Sequence, residues 1–295
     1  MVLAVSPIVN SAVVGSLSLG GLFALIGIGF ATIYRTTRVV NFAQGDFLAV
    51  GAFLLSTFLG VAHGNHAIAI PLAIAADAAV GVLIYTLIVR RLVGTDEFAV
   101  IVLTFGISIA IESTLTLIYG SSNRFATVGL PTGRINWAGF QFSWLDVAAA
   151  ACAVIGLVVI LALMRFTRWG IDSRALAENP ALAADFGIRT GAVGAVAWAL
   201  GTGAAALAGI VYGATTNVSL SLADVGLVTL PGIMLGGMDS VGGALVGGAV
   251  MGVLISLVTY AGGPDVATIA GYGALLVVLI FLPQGLFGLR RSRVV

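Results

Sequence analysis

Polar side chains are scarce in this chain, and those able to do chemistry gather in few places. The longest polar stretch runs from Arg165 to Arg189, RFTRWGIDSRALAENPALAADFGIR, with arginines and carboxylates set between two apolar runs. A second stretch, NFAQGD at 41–46, brings Asn41, Gln44 and Asp46 to the start of an apolar segment that also carries Gly45 and Gly51. Two readings fit it. A polar helix start beside small residues can present amides and backbone N–H groups to a polar solute, or it can cap a helix at an interface and touch no solute. Asp77 and Glu112 lie inside apolar runs. A carboxylate in lipid costs at least about 2.5 kcal/mol, so each must face protein or a watery cavity. His63 and His66 form an HxxH in a short turn with no carboxylate or thiol nearby, which does not complete a metal site.

The elements that hold these groups follow from composition. Of 295 residues, 60% are hydrophobic and 8% charged, mean hydropathy is +1.14, and apolar runs reach the length that crosses about 30 Å of hydrocarbon. These runs are apolar all round, as lipid-embedded helices are. The expected fold is an all-α integral membrane protein, a single polytopic domain over residues 1–295. Its bundle would hold about eight or nine transmembrane helices, one of them short or broken. Candidate spans are 12–33, 41–61, 67–89, 98–119, 144–164, 190–213, a short 224–237, 241–260 and 266–284. The first stays as a span, because no basic region precedes it as in a cleaved signal peptide.

Composition also excludes. All 13 basic residues are Arg. Without Lys there is no P-loop and no Schiff base, so no nucleotide hydrolysis by that route and no cofactor is expected in this chain. Cys152 sits inside an apolar run and has no second cysteine to pair with. A net charge of +1 with no basic–aromatic interleaving leaves no case for a nucleic-acid partner.

Orientation follows from the arginines. With 165–189 cytoplasmic, alternation puts Arg35, Arg38, Arg90, Arg91, Arg165, Arg168, Arg174, Arg189, Arg290, Arg291 and Arg293 inside, and Arg124 and Arg134 outside. The N-terminus then lies outside and the C-terminus in the cytoplasm. The 120–143 connection is the longest outer loop, with Trp137 and Trp144 suited to an interfacial belt.

Local signals refine two regions. Asn179 before Pro180 reads as an N-cap with proline at the first helical position, and Gly187 as the left-handed end of a two-turn helix. Arg174 and Glu178, spaced i,i+4, suggest a salt-bridged helical turn upstream. In 231–252, Pro231 and Gly232 break the short segment and Asp239–Ser240 makes a polar turn. Gly243/Gly247 and Gly248/Gly252 form overlapping GxxxG pairs that let backbones approach, either for packing or in a broken helix lining a path. The 41–52 and 241–252 stretches hint at internal duplication.

Taken together, NFAQGD at 41–46, RALAENPALAADFGI at 174–188 and LGGMDSVGGALVGG at 235–248 resemble the signatures of permease subunits of branched-chain amino acid ABC importers. The resemblance spans nearly the whole chain. It implies that Arg174, Glu178, Asn179, Pro180, Ala183, Ala184 and Gly187 belong to a coupling helix seated on a cytoplasmic ATPase. It also implies that Asn41, Phe42, Gln44, Gly45 and Asp46 lie near the translocation path. The implied partners are a second permease subunit, often a paralogue, two ATPases that carry the ATP and Mg, an external solute-binding protein, and the lipid of a prokaryotic-type plasma membrane. The implied solute is a branched-chain amino acid, or a related small polar solute such as urea or a short amide. The competing reading is a stand-alone secondary transporter or channel with Asp77 and Glu112 as ion or proton sites. An intramembrane enzyme has no Ser/His/Asp, HExxH or paired-Asp signature to rest on.

Overall fold

The computed structural model describes residues 7–94, 96–131, 133–137, 140–282 and 285–287, with side chains from residue 13 onward apart from those of Glu97 and Trp137. Arg290, Arg291 and Arg293 of the orientation argument, and the Trp137 ring, lie outside the described residues.

Eleven α-helices and one hairpin follow in order among the described residues. They are α1 (Pro7–Thr37), α2 (Gln44–Val61), α3 (His66–Leu87), α4 (Glu97–Tyr119), β1 (Arg134–Trp137), β2 (Phe140–Ser143), α5 (Trp144–Phe166), α6 (Arg168–Glu178), α7 (Pro180–Asp185), α8 (Thr190–Thr215), α9 (Leu222–Gly236), α10 (Val241–Gly262) and α11 (Pro264–Phe281). Eight of them, α1 to α5, α8, α10 and α11, are long and apolar enough to cross a membrane, in agreement with the spans read from the sequence. The protein is a multi-pass, all-α membrane protein. Helix α9 has 15 residues, about 22 Å, and falls short of the hydrocarbon thickness. Pro231 does not break it, contrary to expectation, and lies inside one continuous helix. A proline removes one helical hydrogen bond, but packed flanks carry the helix past it.

The chain forms two compact units. In the unit made of residues 1–31, 132–157 and 228–295, the glycines of α10 are used on both sides. Gly243 and Gly247 meet Gly236 and Gly232 of α9, while Gly248 and Gly252 meet Phe23 and Gly20 of α1. Backbones that touch in this way gain dispersion contacts that any Cβ would push apart. The hairpin pairs Arg134 with Ser143 and Trp137 with Phe140, where a plain loop had been expected. Ser143 then opens α5 through a reciprocal cap: its N–H and Oγ–H donate to Asp146 Oδ2 at 2.8 and 2.7 Å, and Asp146 N–H donates back to Ser143 Oγ at 3.2 Å.

In the unit made of residues 32–131 and 158–227, α2, α3 and α8 form the core. Gly51 of α2 rests on Ala206, Gly209 of α8 on the Leu48 backbone, and Gly81 of α3 on Thr202. Trp198 is fully buried beside Tyr85. Asp77 is fully buried here as well, with neither carboxylate oxygen hydrogen-bonded, so it faces protein as its cost in lipid requires.

Candidate coupling loop and solute-path turn

The 165–189 connection folds as two helices joined by one residue. Asn179 is the C-cap of α6 and the N-cap of α7, with its Oδ1 accepting from Ala181 N–H and Leu182 N–H at 3.1 Å each. Pro180 takes the first helical position, and Gly187 ends the element at φ +81°. The local chemistry acts as its residue types require. Three side-chain bonds fix the pair to the rest of the unit. Trp169 Nε1 donates to the Val193 carbonyl at 3.1 Å, Arg174 Nη1 to Met164 at 3.1 Å, and Arg38 Nη2 to Ala177 at 3.5 Å. Arg174 therefore turns to a carbonyl in the last turn of α5 in place of the expected i,i+4 pair with Glu178. An open helix-end carbonyl at the negative end of the dipole suits a guanidinium better than an exposed carboxylate does.

Exposure divides the residues implied as coupling contacts. Arg174, Glu178, Asn179, Pro180, Ala184 and Gly187 are exposed, but Ala183 is 3% exposed and packs into its own subunit. The outward apolar face of α7 is Leu182 and Phe186, at 52% and 84% exposure. Spaced i,i+4, they stand side by side. Behind Phe186 lies a groove of about 440 Å³ lined by Trp169, Asp172, Ile188, Arg189, Val193 and Val196 among others. Neither Leu182 nor Phe186 was picked out from the sequence. Their signal was available: two large apolar residues four apart in a polar loop.

The Asn41–Asp46 turn is built the opposite way. Helix α1 stops at Thr37, the chain runs unwound to Ala43, and α2 begins at Gln44. Residues 40–46 lie level with residues 104–108 of α4, well inside an apolar span. Thr104 Oγ1 donates to the Val40 carbonyl at 3.2 Å, and Phe42 stacks on Phe105 with centroids 4.4 Å apart. Asn41, Gln44 and Asp46 are all buried. Asn41 Nδ2 donates to Gln44 Oε1 at 3.1 Å, and Gln44 Nε2 donates to the Gly201 carbonyl of α8 at 3.0 Å. Gly45 lies flat against the Ala223 carbonyl and Gly226 of α9. The amides thus join α2 to α8, and the glycine joins α2 to α9.

Asp46 is buried beneath a more open surface. The Ser108 hydroxyl donates to its carboxylate, and Glu112 and Asp224 lie near enough to act on it electrostatically. Both of those carboxylates are exposed. Two exposed carboxylates, from α4 and α9, therefore lie near the buried carboxylate of α2. Ser108 and Glu112 were an i,i+4 pair visible in the sequence. Asp224 gave no local sign of belonging with them. The HxxH turn has a structural use, with His66 Nε2 3.0 Å from Thr127 Oγ1. Among the described residues no group of three or more His, Cys, Asp or Glu could hold a metal ion.

Residues 12–282 match the family model described as branched-chain amino acid transport system / permease component. The chain belongs to this family. Curated relatives include the high-affinity branched-chain amino acid transport system permease protein LivH of Escherichia coli K12, 26% identical over 92% of both chains. They also include BraD of Pseudomonas aeruginosa, of the same description, 25% identical over 93% of this chain and 94% of BraD. The probable permease LivH of Methanocaldococcus jannaschii is 26% identical over 83% of this chain and 80% of its own. No solved structure matches the chain significantly. Membership of this permease family covers the turn, the two-helix loop and the α10 glycines alike, since all fall within 12–282.

Proposed function

We propose that this permease is the membrane-spanning subunit of an ATP-binding cassette importer, and that its solute path runs along the α2–α4–α9 face. One observation carries the reading: Glu112 and Asp224 stand exposed at the depth of buried Asp46, where lipid would impose at least about 2.5 kcal/mol per carboxylate. Such a face needs water or protein against it, and a second permease subunit, a paralogue or a copy, closes a watery path there. Asn41, Phe42, Gln44, Gly45 and the buried Asp46 hold the wall behind it, and Glu112 and Asp224 line it. The acidic face suits a solute with a hydrogen-bond-donating or cationic group, such as the ammonium of a branched-chain amino acid or the amide of urea.

The energy enters from the other end. In this reading the 165–189 loop faces the cytoplasm, with the N-terminus outside and the C-terminus inside, an orientation that the arginine bias favours. Leu182 and Phe186 of α7 insert into a groove of a cytoplasmic ATPase, one of two that hold the ATP and Mg. An external solute-binding protein delivers the solute. Closure of the ATPases would bring paired α7 helices together and alternate the access of the path.

The test is uptake by the complex reconstituted in proteoliposomes with Glu112→Leu and Asp46→Leu. Both variants should assemble with the ATPase and lose uptake. A lipid-facing Glu112 would instead leave Glu112→Leu with full uptake, which overturns the placement of the path. Wild-type uptake without any ATPase would favour the stand-alone transporter.

A further inference from the structure

The unwound connector between α1 and α2 is held by three elements at once. Thr104 of α4 donates to Val40, Phe42 stacks on Phe105 of the same helix, the Asn41–Gln44 amides end on Gly201 of α8, and Arg38 reaches α6. The last tie joins two regions that are otherwise far apart in the chain. Arg38 Nη2 donates to the Ala177 carbonyl at 3.5 Å, in the final turn of α6. That carbonyl is one a helix leaves open, at the negative end of its dipole. The guanidinium also lies over the Tyr34 ring, 5.8 Å from its centroid, which gives it a second anchor on α1.

Ala177 is two residues from Asn179, the single residue that caps both α6 and α7. No flexible linker separates them, so displacement of α7 displaces Ala177. Arg38 itself sits at φ +59°, a left-handed conformation that residues with a side chain rarely adopt and that persists where the surroundings hold it. A glycine at this position would relieve the backbone and lose the guanidinium.

We propose that Arg38 is a positioning residue that carries movement of the α6–α7 loop into the Asn41–Asp46 turn. A shift of α7 pulls on the Arg38–Ala177 bond, and the connector passes that shift to Gln44 and Asp46 at the start of α2. The inference rests on the reading of α7 as the ATPase-docking element and of the turn as part of the solute path.

The experiment measures solute imported per ATP hydrolysed by the full reconstituted complex carrying Arg38→Gly, Arg38→Gln or Arg38→Lys. Arg38→Gly and Arg38→Gln should assemble normally and hydrolyse ATP, with uptake per ATP falling about tenfold, the scale of one lost charge-assisted hydrogen bond. Arg38→Lys should recover part of the ratio, because it keeps a cationic donor. Since Arg38→Gly also removes backbone strain, a loss there belongs to the guanidinium. Wild-type uptake per ATP in Arg38→Gly overturns the inference alone. Loss of assembly in all three variants, with no rescue by Lys, reduces Arg38 to a folding role and overturns it too. A wild-type complex that imports nothing when the ATPase is present overturns the importer reading, and this inference with it.

Discussion

The two polar regions of this permease treat their side chains in opposite ways. In the α6–α7 loop the cap, the proline and the terminal glycine act within a few residues of one another, and most side chains around them are exposed, Ala183 excepted. In the Asn41–Asp46 turn every polar side chain is buried; Asn41 bonds to Gln44 within the turn, and Gln44 reaches Gly201, 157 residues away. Water explains the difference. Where water is at hand, a polar side chain can meet its needs locally. At membrane depth an unsatisfied amide is costly, so Gln44 finds its acceptor in another helix, although the buried Asn41 Oδ1 has no hydrogen-bond partner among the described residues.

The comparison breaks most readily at its glycines. Gly45→Val would drive a branched side chain into the Ala223 carbonyl, backbone against which nothing can give. Gly187, by contrast, has open space around its missing Cβ and only its φ of +81° to defend. Gly45→Val should abolish the folded protein, read as loss of a monodisperse species in detergent. Gly187→Ala should cost about 1 kcal/mol and leave the fold intact. Equal yields of folded protein from both would mean that α2 and α9 do not meet as described.

A smaller effect is expected at the outward face of α7. Phe186→Ala removes an exposed aromatic that, as a docking anchor, should contribute at least about 2 kcal/mol, roughly thirtyfold in the Kd for the ATPase. Leu182→Ala should weaken binding less. Ala183→Arg should behave differently from both, because Ala183 is packed inside its own subunit and the larger side chain would disturb α6 and α7 before it met any partner. Titration of the purified ATPase onto each variant in nanodiscs separates the cases. Unchanged affinity in Phe186→Ala would move the docking surface off this face.

What could be read from the sequence follows the same division. The spans were legible because hydropathy sums over twenty residues, and α7 was legible because caps are local signals. The burial of Ala183 was not: a six-residue helix with alanine at 181, 183 and 184 carries no period that tells one face from the other. The hairpin had a readable pattern, Ile135, Trp137, Phe140 and Phe142 alternating on either side of Ala138–Gly139, which the length of the outer connection obscured. The convergence of Asp46, Ser108, Glu112 and Asp224 lay beyond any local rule, because it depends on how α2, α4 and α9 pack.

The smallest effect tests the locality of the loop itself. Asn179→Ala removes the acceptor for two backbone N–H groups, those of Ala181 and Leu182, and should destabilise α7 by about 1 kcal/mol. Amide hydrogen exchange at Ala181 and Leu182 should then quicken about fivefold, with exchange elsewhere unchanged, since the cap reaches no further than the first turn. Asn179→Ser should restore most of the protection, because its hydroxyl can accept the same bonds. Gln44→Ala is the matching change in the turn, and its effect should appear in α8 around Gly201, far away in sequence. If Asn179→Ala instead alters exchange across α8, the loop is not locally built, and the contrast between the two polar regions fails.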